Sequence, residues 1–405
     1  MTGDPRRSGR EGAEGRGGVL VAVDKFRGSL TGAQVAHHVV AGVRRASPDV
    51  PVAVLPVADG GEGTVEAALA AGFARREAHV SGPTGRRVVA VYALRGDTAV
   101  VETAQAGGLG RLPGGRAHPL TATTYGAGEL LRAALDDGAR TVVLGVGGSA
   151  STDGGAGMLA ALGWRLLDAE GAPVGPGGAG LTMLAAVDPS GADPRLSGVE
   201  LVLAGDVDNP LTGPRGAAAV YGPQKGASRD EVRVLDAALV RLVRVLEGVV
   251  GPGAGACAES PGAGAGGGLG FAALLSGARF RPGVEVVLDV LGGAEAIRRA
   301  DLVITGEGSL DAQTPRGKVP AGVAAAARAE GREVVAVCGR LALSGSRLRR
   351  LGIGRAYPLT DVEPDPARSM AEAGPLVERV AERLARDHLG GAERRRARGE
   401  VPREG

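Results

Sequence analysis

An apolar run that opens into a glycine-rich turn occupies residues 141–157, TVVLGVGGSASTDGGAG. Its β-branched start predicts a strand, and the apolar residues after it predict a helix. Such a passage directs backbone N–H groups and the positive end of a helix at one point, where an anion can bind. PVADGGEGT, after residues 52–55, and GEGSLDAQT, after residues 301–305, share this design. Because acids in such turns can bind a metal ion or accept a proton, the three turns predict a composite site for phosphate and Mg²⁺.

The composition excludes several classes of protein. A chain of 405 residues predicts two domains, and an aromatic content of 2% argues against base-stacking platforms. The net charge of +2 predicts no nucleic-acid partner, and Cys257 and Cys338 form no CxxC pair. Neither a membrane-spanning run nor a signal-peptide core is evident, so we expect a cytoplasmic protein with no membrane partner.

Strands alternate with helices along the chain, which predicts an α/β fold with parallel sheets flanked by helices. Capping boxes predict one helix start at Thr31 with Gln34 and another at Ser228 with Glu231, the second helix ending at Gly248. Ligands of such sheets bind beyond the carboxyl ends of the strands, where the glycine-rich turns lie. The clearest strands are predicted at residues 19–23, 88–94, 99–102, 142–146, 200–204, 301–305 and 334–337, and the last helix at 377–389.

Three segments differ from this pattern. Residues 1–17 are polar and rich in Gly and Arg, and we interpret them as a disordered leader. Residues 391–405 form a charged, arginine-rich tail that we interpret as solvated rather than as a nucleic-acid contact. Residues 254–270 are Gly- and Ala-rich, which predicts a flexible loop or a second anion cradle.

Candidate magnesium ligands follow the strand predicted at 200–204. The passage LVLAGDVDNPL presents Asp206, Asp208 and Asn209, and two carboxylates with an amide suit Mg²⁺. An ordinary Asx-turn before Pro210 would also explain Asn209.

Basic residues supply candidate phosphate contacts. Lys225 in GPQKG lies on a glycine-flanked loop, and Lys318 in RGKVP is similar, although a single surface lysine is usually inert. In the first loop, VAVDKFRGSL, Arg27 can bind a carboxylate or phosphate, whereas Ser29 can simply cap the following helix. Neither a P-loop nor the HRD and DFG signatures occur, which excludes P-loop enzymes and protein kinases.

Together these passages resemble the bacterial glycerate kinase family that lacks a P-loop. The resemblance covers about residues 19–361 and rests on long motifs in order, among them DKFRGSL, PVADGGEGT, VETAQAGGL, GVGGSASTDGGAGML, GDVDNPLTGPRGAAAVYGPQKGA and ITGEGSLDAQTPRGKVPAGV. Two departures from the usual motif stand in the first loop, where Lys25 replaces a serine and Arg27 a lysine.

The resemblance implies both a fold and an activity. The fold has two α/β domains: a flavodoxin-like domain from residues 18–75 and 285–390, and a larger α/β domain, residues 76–284, inserted into it. The implied reaction transfers the γ-phosphoryl group of ATP to D-glycerate with Mg²⁺, and the family favours 2-phosphoglycerate as product. The protein is expected to act as a monomer or homodimer.

For such a reaction we hypothesise roles for individual residues from their chemistry. Asp153 is the first candidate for the base that accepts the hydroxyl proton, and Asp206 is the second. Mg²⁺ is expected on Asp206 and Asp208. The remaining expectations are phosphate or nucleotide contacts from Gly147, Gly148, Ser149, Gly60, Gly61, Glu62, Lys225, Glu307 and Asp311, and substrate contacts from Asp24, Arg27 and Ser29.

Two other functions stay open at this point. The chain could phosphorylate a different small hydroxy acid on the same scaffold, which a substrate panel would reveal. It could also be a non-catalytic phosphometabolite-binding protein, which would bind ligand without turnover.

Overall fold

A computed structural model of the chain describes residues 18–315 and 317–390. The predicted leader and charged tail lie outside the described residues. Within them, the strands are β1 (Val19–Val23), β2 (Val52–Val54), β3 (Ala74–Ser81), β4 (Arg87–Arg95), β5 (Thr98–Glu102), β6 (Thr141–Gly145), β7 (Arg165–Leu167), β8 (Ala186–Asp188), β9 (Glu200–Gly205), β10 (Arg279–Pro282), β11 (Leu302–Leu310), β12 (Glu333–Leu341) and β13 (Arg355–Pro358). All seven strands predicted from the sequence are present, with bounds shifted by one to a few residues.

Helices connect most of these strands. No helix in the described residues is long and apolar enough to cross a bilayer. The helices are α1 (Gly32–Ala46), α2 (Thr64–Ala70), α3 (Thr103–Gly107), α4 (Tyr125–Asp136), α5 (Ala156–Ala161), α6 (Gly177–Gly180), α7 (Ala217–Tyr221), α8 (Arg229–Val250), α9 (Gly253–Glu259), α10 (Ala265–Leu275), α11 (Gly283–Val290), α12 (Gly293–Arg299), α13 (Val319–Ala329), α14 (Gly345–Leu351), α15 (Pro366–Ala371) and α16 (Ala373–His388).

Both predicted capping boxes are present at the starts of α1 and α8. Thr31 caps α1, whereas the Ser29 hydroxyl donates to the Phe26 carbonyl at 3.0 Å, so the capping role considered for Ser29 is wrong. Helix α8 continues past the predicted stop at Gly248 and ends at Val250. Gly251 caps it with a φ of +83°, a conformation that glycine adopts readily.

Strands from the two ends of the chain form one five-stranded parallel sheet in the order β2-β1-β11-β12-β13. Counted along this sheet's own strands, the order is 2-1-3-4-5, that of the flavodoxin-like fold. Helices α1 and α16 cover one face, where Val39 packs with Val377, and α13 covers the other through Val323. The predicted flavodoxin-like architecture is therefore confirmed.

The middle of the chain forms a six-stranded sheet in the order β10-β9-β6-β5-β4-β3. Four strands, β10, β9, β6 and β5, are parallel, as the alternation of strands and helices predicts, but β4 and β3 are antiparallel to their neighbours. Only Gly96 and Asp97 separate β4 from β5. Since a parallel connection needs a crossover of a dozen or more residues, this link can only make a hairpin.

The sheet membership agrees with an inserted middle domain, while the exact domain bounds stay a prediction. The bound between residues 75 and 76 falls inside β3, and the bound between 284 and 285 falls inside α11. Helix α11 packs against both sheets, through Val284 on the five-stranded side and Val286 on the six-stranded side.

Candidate active site

Acidic residues from both sheets meet at the carboxyl ends of their strands. Asp24 follows β1, Asp59 follows β2, Asp206 follows β9, and Glu307 lies near the end of β11. The charge of Asp59 raises the pKa of both Asp24 and Asp206, and the charge of Asp24 raises the pKa of Glu307. Because β1 and β11 flank the point where the strand order reverses, the cluster occupies the usual ligand position of a doubly wound sheet.

Basic side chains accompany this cluster. The Lys318 ammonium lies 3.5 Å from Glu307 Oε2, and the charges of Lys318 and Arg27 both lower the pKa of Asp206. Lys25 Nζ lies 3.9 Å from Asp24 Oδ1. The cluster therefore combines carboxylates with cations, as a site for an anionic substrate and a proton transfer requires.

Partial burial changes the proton affinity of these acids. Desolvation is the largest cause that raises the pKa of Asp24, Asp206 and Glu307, with neighbouring carboxylates adding to it. Asp206 is nevertheless exposed to solvent. It lies directly after β9, on the surface between the carboxyl ends of the two sheets, which is called the cleft below. An accessible carboxylate with a raised pKa is well suited to accept a proton.

Glu307 is held in place from two sides. The Thr314 hydroxyl donates to Glu307 Oε1 at 2.6 Å, and Lys318 pairs with the other oxygen. Thr314 Oγ1 in turn accepts from the backbone N–H of Asp311, whose own carboxylate accepts from the Gln313 N–H at 2.9 Å. Asp311 thus closes the turn that supports Glu307, and its expected nucleotide contact stays a prediction.

The glycine turns of the two domains touch one another. A Cβ atom on Gly60 would lie 2.8 Å from the Ala204 carbonyl at the end of β9, and one on Gly145 would lie 2.6 Å from the Gly60 carbonyl. The φ of Gly60 is +82°, which L side chains rarely adopt. Glu62 follows in the same loop with an exposed side chain, and its carbonyl accepts from Lys25 Nζ at 2.8 Å.

The turn after β6, which contains Gly147, Gly148 and Ser149 and is called the phosphate turn below, has unpaired backbone donors within the described part of the chain. In the described residues, no protein acceptor pairs with the N–H groups of Gly148 and Ser149, while the Gly148 carbonyl accepts from the Leu109 N–H. The Ser149 hydroxyl is buried and bonds the Gly266 carbonyl and Ser151 Oγ, both at 3.0 Å. These bonds hold the Ser149 hydroxyl within the protein, and its contact with phosphate stays a prediction.

The segment at 254–270 supports this turn from behind. It is mostly helical rather than a flexible loop, with three consecutive glycines, 266–268, at φ values of +62°, +75° and +93°. The carbonyls of Gly266 and Gly267 accept from Ser149 Oγ and the Gly154 N–H. The glycines thus act as a packing surface for the phosphate turn.

Asp153 does not face the cleft. It is 1% exposed, and its oxygens accept from the Thr124 N–H and hydroxyl and from the N–H groups of Gly155 and Gly157. Burial raises its pKa, the largest influence on this group. A carboxyl with its oxygens occupied and no access to substrate cannot act as the base, so the first-choice assignment of Asp153 is corrected to a structural role.

Lys225 is also buried rather than on the surface. Its ammonium donates to the Ser151 carbonyl at 2.5 Å, and burial lowers its pKa to about 8. The side chain therefore braces the segment after the phosphate turn, and a direct contact with phosphate stays a prediction.

The expected magnesium ligands lie on the exposed rim. Asp206 and Asp208 are both solvent-exposed, whereas Asn209 is held by Tyr221 and by the Arg215 carbonyl. Among the described residues, no group of three or more potential ligands is arranged to hold a metal ion. This donor set fits Mg²⁺, which is usually bound through one or two carboxylates together with substrate phosphates and water.

Two contributors were missed by the sequence reasoning. Asp59 stands in the PVADGGEGT turn directly after a strand, a position that could have identified it. No sequence pattern indicated Thr314, because its contribution is a side-chain hydrogen bond to Glu307 that only the structure shows.

Comparisons with known proteins show what this chain is similar to. The glycerate kinase family model matches residues 19–389. A glycerate kinase of Halalkalibacterium halodurans is 44% identical, covering 91% of this chain and 97% of the relative. A glycerate 2-kinase of Escherichia coli K12 is 44% identical, covering 80% of this chain and 85% of the relative. A crystal structure assigned to glycerate kinase 2 of Salmonella typhimurium LT2 has a TM-score of 0.78 at 39% identity, covering 94% of this chain and 100% of that structure.

Proposed function

The chain belongs to the glycerate kinase family, and on that premise we propose that it transfers the γ-phosphoryl group of ATP to the 2-hydroxyl group of D-glycerate with Mg²⁺. The printed name of the Escherichia coli relative, glycerate 2-kinase, supports 2-phosphoglycerate as product. The observation that carries the proposed site is the meeting of Asp24, Asp206 and Glu307 beside the phosphate turn. Phosphoryl transfer depends chiefly on positioning and charge neutralisation, which such a site supplies.

Asp206 is the proposed general base. It is accessible in the cleft, and burial together with Asp59 raises its pKa. A hydroxyl group is a weak nucleophile until a carboxylate orients it and takes its proton. Asp206 orients the glycerate hydroxyl and accepts this proton as the hydroxyl oxygen bonds to the γ-phosphorus of ATP. The bond between that phosphorus and the β–γ bridging oxygen breaks, and ADP leaves with the electron pair.

Arg27 and Lys318 are proposed to neutralise the anionic groups of the substrates. Both lie close enough to Asp206 to lower its pKa, and neither is buried. The planar guanidinium of Arg27 suits the glycerate carboxylate, which it can bind through two hydrogen bonds. Lys318, which contacts Glu307, stabilises the charge of the transferred group.

The N–H groups of Gly148 and Ser149 are proposed to bind the nucleotide phosphates, since no protein acceptor in the described residues pairs with them and the adjacent Gly147 touches Gly61 in the loop after β2. Asp208, with Asp206, would hold Mg²⁺ at the rim. When bound, the ion neutralises phosphate charge.

Asparagine variants separate Asp206, proposed as both base and metal ligand, from Asp208, proposed as a metal ligand only. Asp206→Asn is expected to lower kcat about 10²- to 10⁴-fold at any Mg²⁺ concentration, as loss of a general base does. Asp208→Asn is expected to raise the Mg²⁺ concentration needed for half-maximal rate while approaching wild-type kcat at saturation. Asp230→Asn, on the exposed side of α8, is the control. Near-wild-type kcat of Asp206→Asn would remove Asp206 from the base role.

The position of phosphorylation follows from a coupled assay. Enolase consumes 2-phosphoglycerate directly and 3-phosphoglycerate only after a mutase. Immediate coupling without mutase is the expected result, and a strict requirement for mutase would contradict the 2-position. No ADP release with glycerate, but release with another hydroxy acid, would favour the related-substrate alternative.

A further inference from the structure

A buried glutamate lies beneath the loop that joins the two sheets. Glu102 is the last residue of β5 and is 2% exposed. It stands beside Gly145, the last residue of β6, and a Cβ atom on Gly145 would lie 3.6 Å from Glu102 Cγ. The carboxyl group therefore sits under the loop between Asp59 and Thr64 rather than in the open cleft.

This carboxyl group contacts the backbone of that loop and of the helix after it. Glu102 Oε1 accepts from the Val65 N–H at 2.5 Å. The nearby Gly63 backbone lowers the pKa of the carboxyl group, against the larger effect of burial, which raises it. Glu102 Oε2 is buried and has no partner in the described residues. A buried polar atom without a partner costs about 1–3 kcal/mol, so stability alone does not favour an acid here.

The same loop carries groups of the active site. Asp59 begins it and influences the pKa of both Asp24 and Asp206, while the Glu62 carbonyl accepts from Lys25. The backbone of this loop packs against the six-stranded sheet, because Gly60 contacts Ala204 near the end of β9. The hydrogen bond that Glu102 accepts from Val65 anchors the start of α2, into which the loop that carries Asp59 runs.

We propose that Glu102 is a positioning residue for phosphoryl transfer, holding the loop of residues 59–64 against the ends of β6 and β9 so that the acids of the two domains face one another. Glu102 touches no reacting atom and acts through the loop. The inference rests on the proposed roles of Asp206 and its neighbours, and it concerns only how they are brought together.

The test compares Glu102→Ala and Glu102→Gln with Thr103→Val. Thr103 is the adjacent residue, equally buried, and its hydroxyl has no partner in the described residues, so it is a matched control. In folded protein, Glu102→Ala is expected to lower kcat about 10- to 100-fold, the effect of a small misplacement of reacting groups. Glu102→Gln keeps an acceptor for the Val65 N–H and is expected to stay within about three-fold of wild type, as is Thr103→Val.

Amide hydrogen exchange provides the second readout. The Val65 N–H is expected to exchange faster in Glu102→Ala than in wild type, with little change in Glu102→Gln, because exchange reports local opening of the loop. If Glu102→Ala does not fold, Glu102→Asp, whose shorter side chain withdraws the acceptor, takes its place. Wild-type kcat and exchange in a folded Glu102→Ala or Glu102→Asp enzyme would overturn the inference, as would equal losses in Glu102→Gln and Glu102→Ala. An inactive Asp206→Asn beside a fully active Glu102→Ala would refute the positioning role alone and leave the proposed base intact.

Discussion

A Cβ atom on Gly147 would lie 2.6 Å from the Cα atom of Gly61, so the phosphate turn of one sheet and the acidic loop of the other touch backbone to backbone. Two segments 86 positions apart in the chain therefore form one wall of the cleft. Any side chain at this contact must separate the two domains at the proposed site.

Gly147→Ala tests this contact. The added methyl group displaces the loop at Gly61, and we expect kcat/KM to fall about 10- to 100-fold, because misplaced reacting groups lose that much rate. Gly198→Ala is the control, since a Cβ atom there has no neighbour within 4 Å. Steady-state kinetics with both substrates measure the effect, and unchanged kcat/KM in Gly147→Ala would show that the contact does not matter for catalysis.

Asp153→Ala is expected to lower the free energy of unfolding rather than to remove a catalytic group. Removing the carboxyl group leaves the N–H groups of Thr124, Gly155 and Gly157 unpaired in the interior, which costs about 1–3 kcal/mol in the free energy of unfolding. Urea unfolding measures this loss. A variant of wild-type stability whose kcat has fallen as far as that of Asp206→Asn would restore Asp153 as the base.

The stability of the fold is expected to depend on pH through Glu102. Burial raises the pKa of Glu102 from its ordinary value of 4.5 to about 7. Between these values the native state keeps a proton that the unfolded chain releases. Glu102 therefore lowers the free energy of unfolding as pH rises from 4.5 to about 7, and adds no slope above that.

Glu102→Gln removes this proton exchange. Each pKa unit corresponds to about 1.4 kcal/mol, so the stability of Glu102→Gln relative to wild type is expected to rise by up to about 3 kcal/mol between pH 4.5 and pH 7. Urea unfolding of both proteins at pH 5, 6, 7 and 8 measures the change. A constant difference across this range would show that Glu102 titrates normally in the folded protein.

Thr314→Val is expected to shift the pH dependence of activity. The Thr314 hydroxyl bonds Glu307 Oε1 and lowers the pKa of that carboxyl group, so its removal raises the pKa further. If ionised Glu307 is required, the acidic limb of the kcat/KM profile moves to higher pH. Thr314→Ser keeps the hydroxyl and should retain the wild-type profile. Superimposable acidic limbs for Thr314→Val and wild type would argue against a role for ionised Glu307.

Much of the fold could be predicted from local pattern. The run at residues 19–23 and the capping boxes at Thr31 and Ser228 appear in the structure as predicted, because strand alternation and helix capping depend on neighbouring residues. Strand β3, which is antiparallel to β4, was not predicted. Its sequence, ARREAHVS, is mostly polar, and the segment forms a strand by pairing with β4.

The candidate site, like the fold, could be predicted only in part from the sequence. The acidic and glycine-rich turns could be identified from the sequence, because carboxylate and glycine residues are recognisable by their type alone. The sequence could not distinguish Asp153 from Asp206, since both are aspartates near the end of a strand.

The sequence by itself determined the α/β alternation, the family motifs and the set of turns from which a phosphoryl-transfer site could be built. Only the tertiary structure decided that Asp153 is buried among backbone donors, that Asp206 faces the cleft, and that Glu102 lies under the loop of residues 59–64. The physical reason is that burial, a pKa shift and a shared hydrogen bond depend on residues distant in the chain, which local residue pattern does not specify.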